Sequence, residues 1–247
     1  MKQELPVVPL KKSNRFSAEN FPNAGIFRIG KNYAELLQMN QFERYGNLIV
    51  ISGPSGVGKS TLVKEVRKVL DDLKFSISCT TRSPRPGEEH GREYYFLAPE
   101  EFEAKVQAGE FLEYAGIFAR RYGTLKSEVL SRLKAGEQVL LDIDVQGAKQ
   151  IRAAAEKDPE LARSVHFVLI APPSLASLET RLRGRGSETE EQLQLRLGAA
   201  KAELSNYGIY DYIIVNDQLE QAAVELTAVL RSFRFLTKTL KNELFNE

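Results

Sequence analysis

The chain has 247 residues, with 34 Lys and Arg against 33 Asp and Glu, so its net charge is +1. It lacks the basic excess of a general nucleic-acid binder, and 43% hydrophobic with 27% charged residues suits a globular domain able to bury a core. One cysteine, Cys79, excludes an intrachain disulfide, and neither an apolar leader nor a run of about 18 apolar residues occurs, so a cytoplasmic protein without a membrane partner is expected.

Residues 1–45 read as an N-terminal extension, because Pro6, Pro9, Pro22 and Gly25 interrupt any periodicity. It is either a tail or an arm packed on the domain or on a partner subunit, with a short helix over Tyr33 to Phe42. From residue 46 to 242 the pattern becomes regular. Leu48 to Ile51 reads as a buried strand, Lys59 to Asp72 as a helix and Phe75 to Cys79 as a strand. Ser83 to Gly91 is a Pro/Gly-rich loop. Tyr94 to Leu97 is a short strand, Glu100 to Ala108 a helix and Phe111 to Tyr114 a strand. An amphipathic helix over Lys126 to Lys134 ends at Gly136. A strand over Gln138 to Ile143 runs into Asp144, then a helix covers Val145 to Glu156 and an apolar strand Val165 to Ile170. Helices follow over Ser174 to Leu182 and Thr189 to Leu204, the second opened by capping boxes at Ser187/Glu190 and Thr189/Gln192. A strand over Tyr212 to Val215 and a long helix from Gln218 to about Leu240 close the chain. Strands alternating with helices imply an α/β fold: a mainly parallel sheet with helices on both faces. The short strands of 90–125 break that rhythm and read as an inserted lobe.

Gly53-Pro54-Ser55-Gly56-Val57-Gly58-Lys59-Ser60 matches the P-loop pattern G-x-x-x-x-G-K-[ST] between a strand and a helix, with Thr61 next. Glycines let backbone N–H groups wrap a phosphate, and the helix directs its positive end at that anion. Lys59 is placed to reach the β- and γ-phosphates of ATP, and the Ser60 hydroxyl to bind Mg²⁺. The acid ending the next apolar strand, Asp142, would hold the same ion through water. Asp144-Val-Gln-Gly147 also fits the D-x-x-G of GTPase switches, but no N-K-x-D sequence occurs to read guanine in that manner.

A kinase acting on a second nucleotide needs a second anion site. Arg82 and Arg85, in one loop, can fork a dianionic phosphate, and Tyr94 and Tyr122 can add hydroxyl donors. Five stretches then resemble guanylate kinases, in the family's order: Ser78 to Tyr94, Gly109 to Tyr114, Arg121 to Thr124, Leu141 to Gly147, and Arg183 to Glu190. The resemblance spans about residues 46 to 240. It implies a P-loop NTPase fold with core segments 46–80, 125–180 and 205–242, a small α+β GMP-binding lobe over about 81–124, and a lid over about 181–204. It implies that Gly53 to Thr61 bind ATP and that Glu113 accepts the N1–H and N2–H₂ donors of guanine, with Ser78, Thr124 and Asp144 completing that edge. It further implies that Arg185 and Arg196, with Arg181 or Arg183, fold over the ATP phosphates, so that Lys59, Arg82, Arg185 and Arg196 carry catalysis. Asn216-Asp217 resembles a stretch near the adenine. The expected partners are ATP with Mg²⁺ and GMP or dGMP, with homo-oligomerisation left open.

Two departures stand out: the extra 45 leading residues, and Arg121 where many relatives have a second tyrosine. Two rival readings remain at this point. One is a non-catalytic protein-binding module of similar fold, opposed by the intact Gly53, Gly58, Lys59 and Ser60. The other is a P-loop kinase with a phosphorylated ribose acceptor, opposed by Glu113, Tyr94 and Tyr122. His90 and His166 are isolated from other metal-ligating residues, and Cys79 reads as a small core residue.

Overall fold

The computed structural model describes residues 43–117, 120–184 and 189–241; the helix expected over Tyr33 to Phe42, Ser187 of one capping box, and Arg185 lie outside the described residues. In chain order the elements are β1 (Asn47–Ser52), α1 (Lys59–Arg67), β2 (Leu73–Phe75), β3 (Cys79–Thr80), β4 (Tyr95–Phe96), α2 (Pro99–Gln107), β5 (Phe111–Ile117) and β6 (Arg120–Leu125). There follow α3 (Lys126–Lys134), β7 (Gln138–Asp142), α4 (Val145–Ala155), α5 (Pro159–Ser164), β8 (Val165–Ala171), α6 (Leu175–Arg183), α7 (Glu190–Leu204), β9 (Tyr212–Val215) and α8 (Leu219–Ser232).

Period-two alternation in β1 explains the layering. Ile49 and Ile51 point to one face of the sheet, where they meet Leu62 and Val66 of α1 and Leu226 and Leu230 of α8. Leu48 and Val50 point to the other, against Val129 of α3, Ile151 of α4 and Leu161 of α5. β1 is therefore buried on both sides, which is why it reads as an unbroken apolar run. It lies centrally in a five-stranded parallel sheet of order β2-β7-β1-β8-β9. In such a sheet ligands bind beyond the carboxyl ends of the strands, where the strand order reverses. β1 and β7 end there, at Ser52 and Asp142.

A second, mixed sheet of order β4-β3-β6-β5 builds the lobe. Its core is small: Cys79, Phe102 and Phe111 are buried together, and the two phenyl rings stack at 4.4 Å. A third cluster, Leu178 and Leu182 of α6 with Leu193 and Ala200 of α7, holds those two helices together. Among the described residues no helix is long and apolar enough to cross a membrane.

Three sequence expectations need correction, and two elements are additional to them. The strand expected over Phe75 to Cys79 is two strands in different sheets: Ser76 N–H still bonds Leu140 of the parallel sheet, whereas Ser78 C=O already accepts from Tyr95 in the lobe. The helix expected to Asp72 ends at Arg67, because Lys68 and Val69 bond back only three residues and the tightened turn buries Leu70 and Leu73. The closing helix ends at Ser232 rather than near Leu240. There Phe233 enters the core, stacked on His166 at 3.9 Å, and two 3₁₀ turns bring Leu240 to pair with Arg44. β6 was read only as a motif, and α5 not at all. Arg120, Arg121 and Gly123 hide β6 from any apolar pattern, and α5 has only six residues.

Candidate active site

The loop after β1 is shaped by its glycines. Gly58 has φ 93°, a left-handed conformation that L side chains resist, and a Cβ there would lie 2.7 Å from Asn216 Nδ2. That amide of the buried Asn216 donates to Val57 O at 2.8 Å, so the end of β9 braces the loop from beneath. No side chain caps α1 and its first turn carries no acid, so its leading N–H groups and dipole are directed at the cleft. Lys59 Nζ donates to Gly53 O at 2.5 Å and pairs with Asp142 at 3.9 Å, while Ser60 lines the cleft beside it. Arg196 of α7 reaches over the same loop, with Nη1 3.4 Å from Ser55 Oγ.

This loop forms one wall of a cleft of about 600 Å³, a ligand-sized volume. Ser78, Tyr94, Glu113 and Tyr122 supply the facing wall, and Asp142 and Asp144 the floor. Glu113 follows a register shift in β5 that turns its side chain inward, where only 6% of it is exposed. Thr124 Oγ1 donates to Glu113 Oε1 at 2.7 Å. Burial pushes the Glu113 pKa up; the Thr124 hydrogen bond opposes this, and the charge of Asp144 adds to it. Asp144 serves as the N-cap of α4, accepting from Gly147 N–H at 2.8 Å. Gly147 is needed at this approach, since a Cβ would lie 3.0 Å from Glu113 Oε2. Burial also raises the pKa of Asp142, against the pull of Lys59.

The expected arginines are placed differently from the rest. Arg82 is 8% exposed and binds Glu88 through both terminal nitrogens, at 2.7 and 2.9 Å. Its guanidinium lies near the rings of Tyr94 and Phe96, at 5.2 and 5.6 Å. Arg85 is exposed, and its backbone N–H also donates to Glu88. Arg121 points away, pairing with Glu103 at 2.9 Å, which leaves Tyr122 on the cleft. Arg181 Nη1 lies 3.5 Å from Val57 O, and Arg183 pairs with Glu179 and Glu190.

Two carboxylates escaped the sequence reading. Glu203 lines the cleft; burial raises its pKa, Lys59 opposes that, and Asp144 adds to it. Its spacing from Arg196 could have found it, since seven residues are two helical turns and place both on one face of α7. Glu88 had a weaker signal, an acid three residues after Arg85 in a loop otherwise read for its arginines.

A parallel α/β sheet with a glycine loop and uncapped helix at the end of its central strand, facing a polar wall across one cleft, defines the class of P-loop kinases. Residues 45–233 match the family model for guanylate kinase, and the chain belongs to that family. It is 45% identical over 198 residues to the guanylate kinase of Thermotoga maritima, covering 80% of this chain and 91% of that protein. With the guanylate kinase of Streptomyces kasugaensis it shares 48% identity over 183 residues, 74% of this chain and 86% of that one. A crystal structure of guanylate kinase from Anaplasma phagocytophilum superposes with a TM-score of 0.61 at 30% identity, over 81% of this chain and 93% of that chain.

Proposed function

We infer that this protein is a guanylate kinase, transferring the γ-phosphoryl group of ATP to GMP, with dGMP as a second acceptor. Family membership supports the activity, and one observation carries the choice of acceptor. Glu113, a buried carboxylate already bonded to Thr124, faces the P-loop across the cleft. Guanine offers two adjacent N–H donors to such a group and adenine does not, so a wrong base leaves a buried charge unpartnered. Ser78 and Asp144 stand beside it for the rest of the base edge, and Tyr94 and Tyr122 for the phosphate. In this reading residues 46–242 form the kinase domain, with about 81–124 its acceptor lobe and about 181–204 its lid.

The P-loop N–H groups and Lys59 hold the donor phosphates. Arg82 and Arg85 face the acceptor phosphate, while Arg196, with Arg185, closes from the lid. Among the described residues no group of three or more His, Cys, Asp or Glu is arranged to cage a metal. Mg²⁺ keeps several waters and binds through nucleotide phosphates with one or two protein oxygens, and Ser60 and Asp142 on the cleft beside Lys59 offer such oxygens. Ser60 would supply one oxygen directly, and Asp142 would hold an ion-bound water. Held there, Mg²⁺ would supply positive charge that offsets that of the nucleotide phosphates. An oxygen of the GMP phosphate forms the new bond to the γ-phosphorus as the bond to the β,γ-bridging oxygen breaks. The attacking oxygen is already anionic, so no general base is needed, and alignment and charge neutralisation carry the rate. The test is ADP release from ATP and Mg²⁺ with GMP, dGMP, AMP, CMP or UMP as acceptor. Turnover confined to GMP and dGMP is expected; equal turnover with AMP, or none with any acceptor, would overturn the reading.

A further inference from the structure

We propose that Glu88 is a positioning residue of the acceptor-phosphate site, holding the Arg82 guanidinium so that one chosen edge is presented to the incoming phosphate. The inference rests on the guanylate kinase reading above and extends it to a residue outside the cleft lining.

A guanidinium can bind an oxyanion through its two terminal nitrogens or through its side edge, Nε with one terminal nitrogen. In Arg82 the terminal edge is taken: Nη1 donates to Glu88 Oε2 at 2.7 Å and Nη2 to Glu88 Oε1 at 2.9 Å. Nη1 also donates to Ser83 O at 2.9 Å. These bonds engage Nη1 and Nη2, and the Tyr122 hydroxyl also interacts with the guanidinium, so the side edge is the one that Glu88 leaves to a ligand. The guanidinium lies over the rings of Tyr94 and Phe96, and the Tyr122 hydroxyl stands close enough to interact with it. Tyr94 and Tyr122 themselves line the cleft. Glu88 therefore fixes a buried cation that lies beside the two tyrosines expected at the acceptor phosphate. It also accepts the Arg85 N–H at 2.7 Å, so one carboxylate sets both the Arg82 side chain and the backbone of the second arginine.

A carboxylate near an anion site also repels the anion, so two opposing effects must be weighed. Were Glu88 a competitor for the phosphate, it would have to leave before GMP could bind. Its pKa is held down at about 2, by the Arg82 hydrogen bonds first and the Arg85 N–H second, so it stays ionised throughout the working pH range. The pairing is bidentate and lies on a different edge of the guanidinium from the one left to the ligand, so orientation outweighs repulsion.

The experiment compares wild type, E88Q, R82K and the double variant at pH 7 in steady-state kinetics with ATP and GMP, alongside thermal melting. Gln keeps the shape but offers a single acceptor oxygen and turns an N–H₂ toward the guanidinium. E88Q is expected to raise KM for GMP about tenfold or more, as misplacement of a binding group does, with KM for ATP changed by less than about twofold. In the R82K background, where the fork is gone, E88Q should add less than about twofold, because coupled residues are not additive. Three results overturn the proposal: a fall in KM for GMP, which would make Glu88 a competitor; equal rises in both KM values with loss of the melting transition, which would make it a general structural residue; and full additivity with R82K. Absence of wild-type turnover with GMP would instead overturn the functional reading, and this inference with it.

Discussion

At the P-loop, eight consecutive residues from Gly53 to Ser60 make the site, and most of what they offer is backbone. The turn depends on glycines such as Gly58, and the N–H groups come from an uncapped helix. In the lobe, Ser78, Tyr94, Glu113 and Tyr122 reach the same cleft from separate parts of a mixed sheet, and what they offer is side chains. Phosphate is common to all nucleotides and can be held by peptide dipoles, whereas a base and its donor pattern require particular side chains. The cores differ likewise. β1 is packed on both faces by five helices, whereas the lobe relies on Cys79, Phe102 and Phe111 with a few partly buried neighbours.

Changes at the two ends should therefore separate kinetically. The largest effect is expected from Lys59→Ala, which removes the charge proposed to meet the transferred group: turnover should fall by about 10²- to 10³-fold with KM for GMP little altered and the circular dichroism spectrum unchanged. Retained turnover would break the comparison at its donor end. Glu113→Gln should lower kcat/KM for GMP by roughly a hundredfold, as loss of charge-assisted hydrogen bonds implies, and spare KM for ATP.

The same residue gives a pH prediction. Its pKa is raised by burial, so its ionisation costs the empty protein stability that is present at low pH and lost as pH rises through the raised value. Glu113→Gln should therefore melt above wild type at pH 7, with the gap closing as pH falls toward 4.5 and below. Conversely, kcat/KM for GMP should fall on acidification at a higher pH than an ordinary glutamate would give. A pH profile for the wild type and melting curves for both proteins check the two signs.

Gly147→Ala is a smaller perturbation that sharpens the distinction. Its Cβ would press on Glu113 Oε2 at 3.0 Å, so KM for GMP should rise by a few-fold to about tenfold, with KM for ATP unmoved. Smallest of all should be Lys74→Ala. This half-exposed partner of Glu137 does not line the cleft, and the change should cost under about 1 kcal/mol in a denaturant titration.

The difference between the two ends also explains what could be read from the chain alone. Local rules sufficed for the donor end, because strand, glycine turn, Lys59 and Ser60 are contiguous and their spacing has one physical meaning. The parallel sheet was equally legible, since β1, β7 and β8 are apolar runs of strand length. The acceptor end was not legible from local rules. Glu113 owes its inward direction to a bulge, Thr124 matters through a bond to a residue eleven positions away, and β6 carries charges and a glycine where a strand pattern would need apolar residues. Resemblance supplied those residues. It did not supply Glu88, which acts through Arg82, or Glu203, which a helix repeat places on the cleft. The three-residue break at Ser76 to Ser78 was invisible because two sheets compete for one extended segment.

The most direct test of the central claim, that side chains of the lobe read guanine through Glu113, is kcat/KM for GMP against inosine monophosphate under identical ATP and Mg²⁺. The two acceptors share phosphate, ribose and N1–H and differ by the 2-amino group that the second carboxylate oxygen is held to accept. The account predicts that GMP is preferred by about tenfold or more, the worth of one hydrogen bond to a charged group, and that Glu113→Gln narrows the ratio. Equal use of both acceptors by the wild type would contradict it.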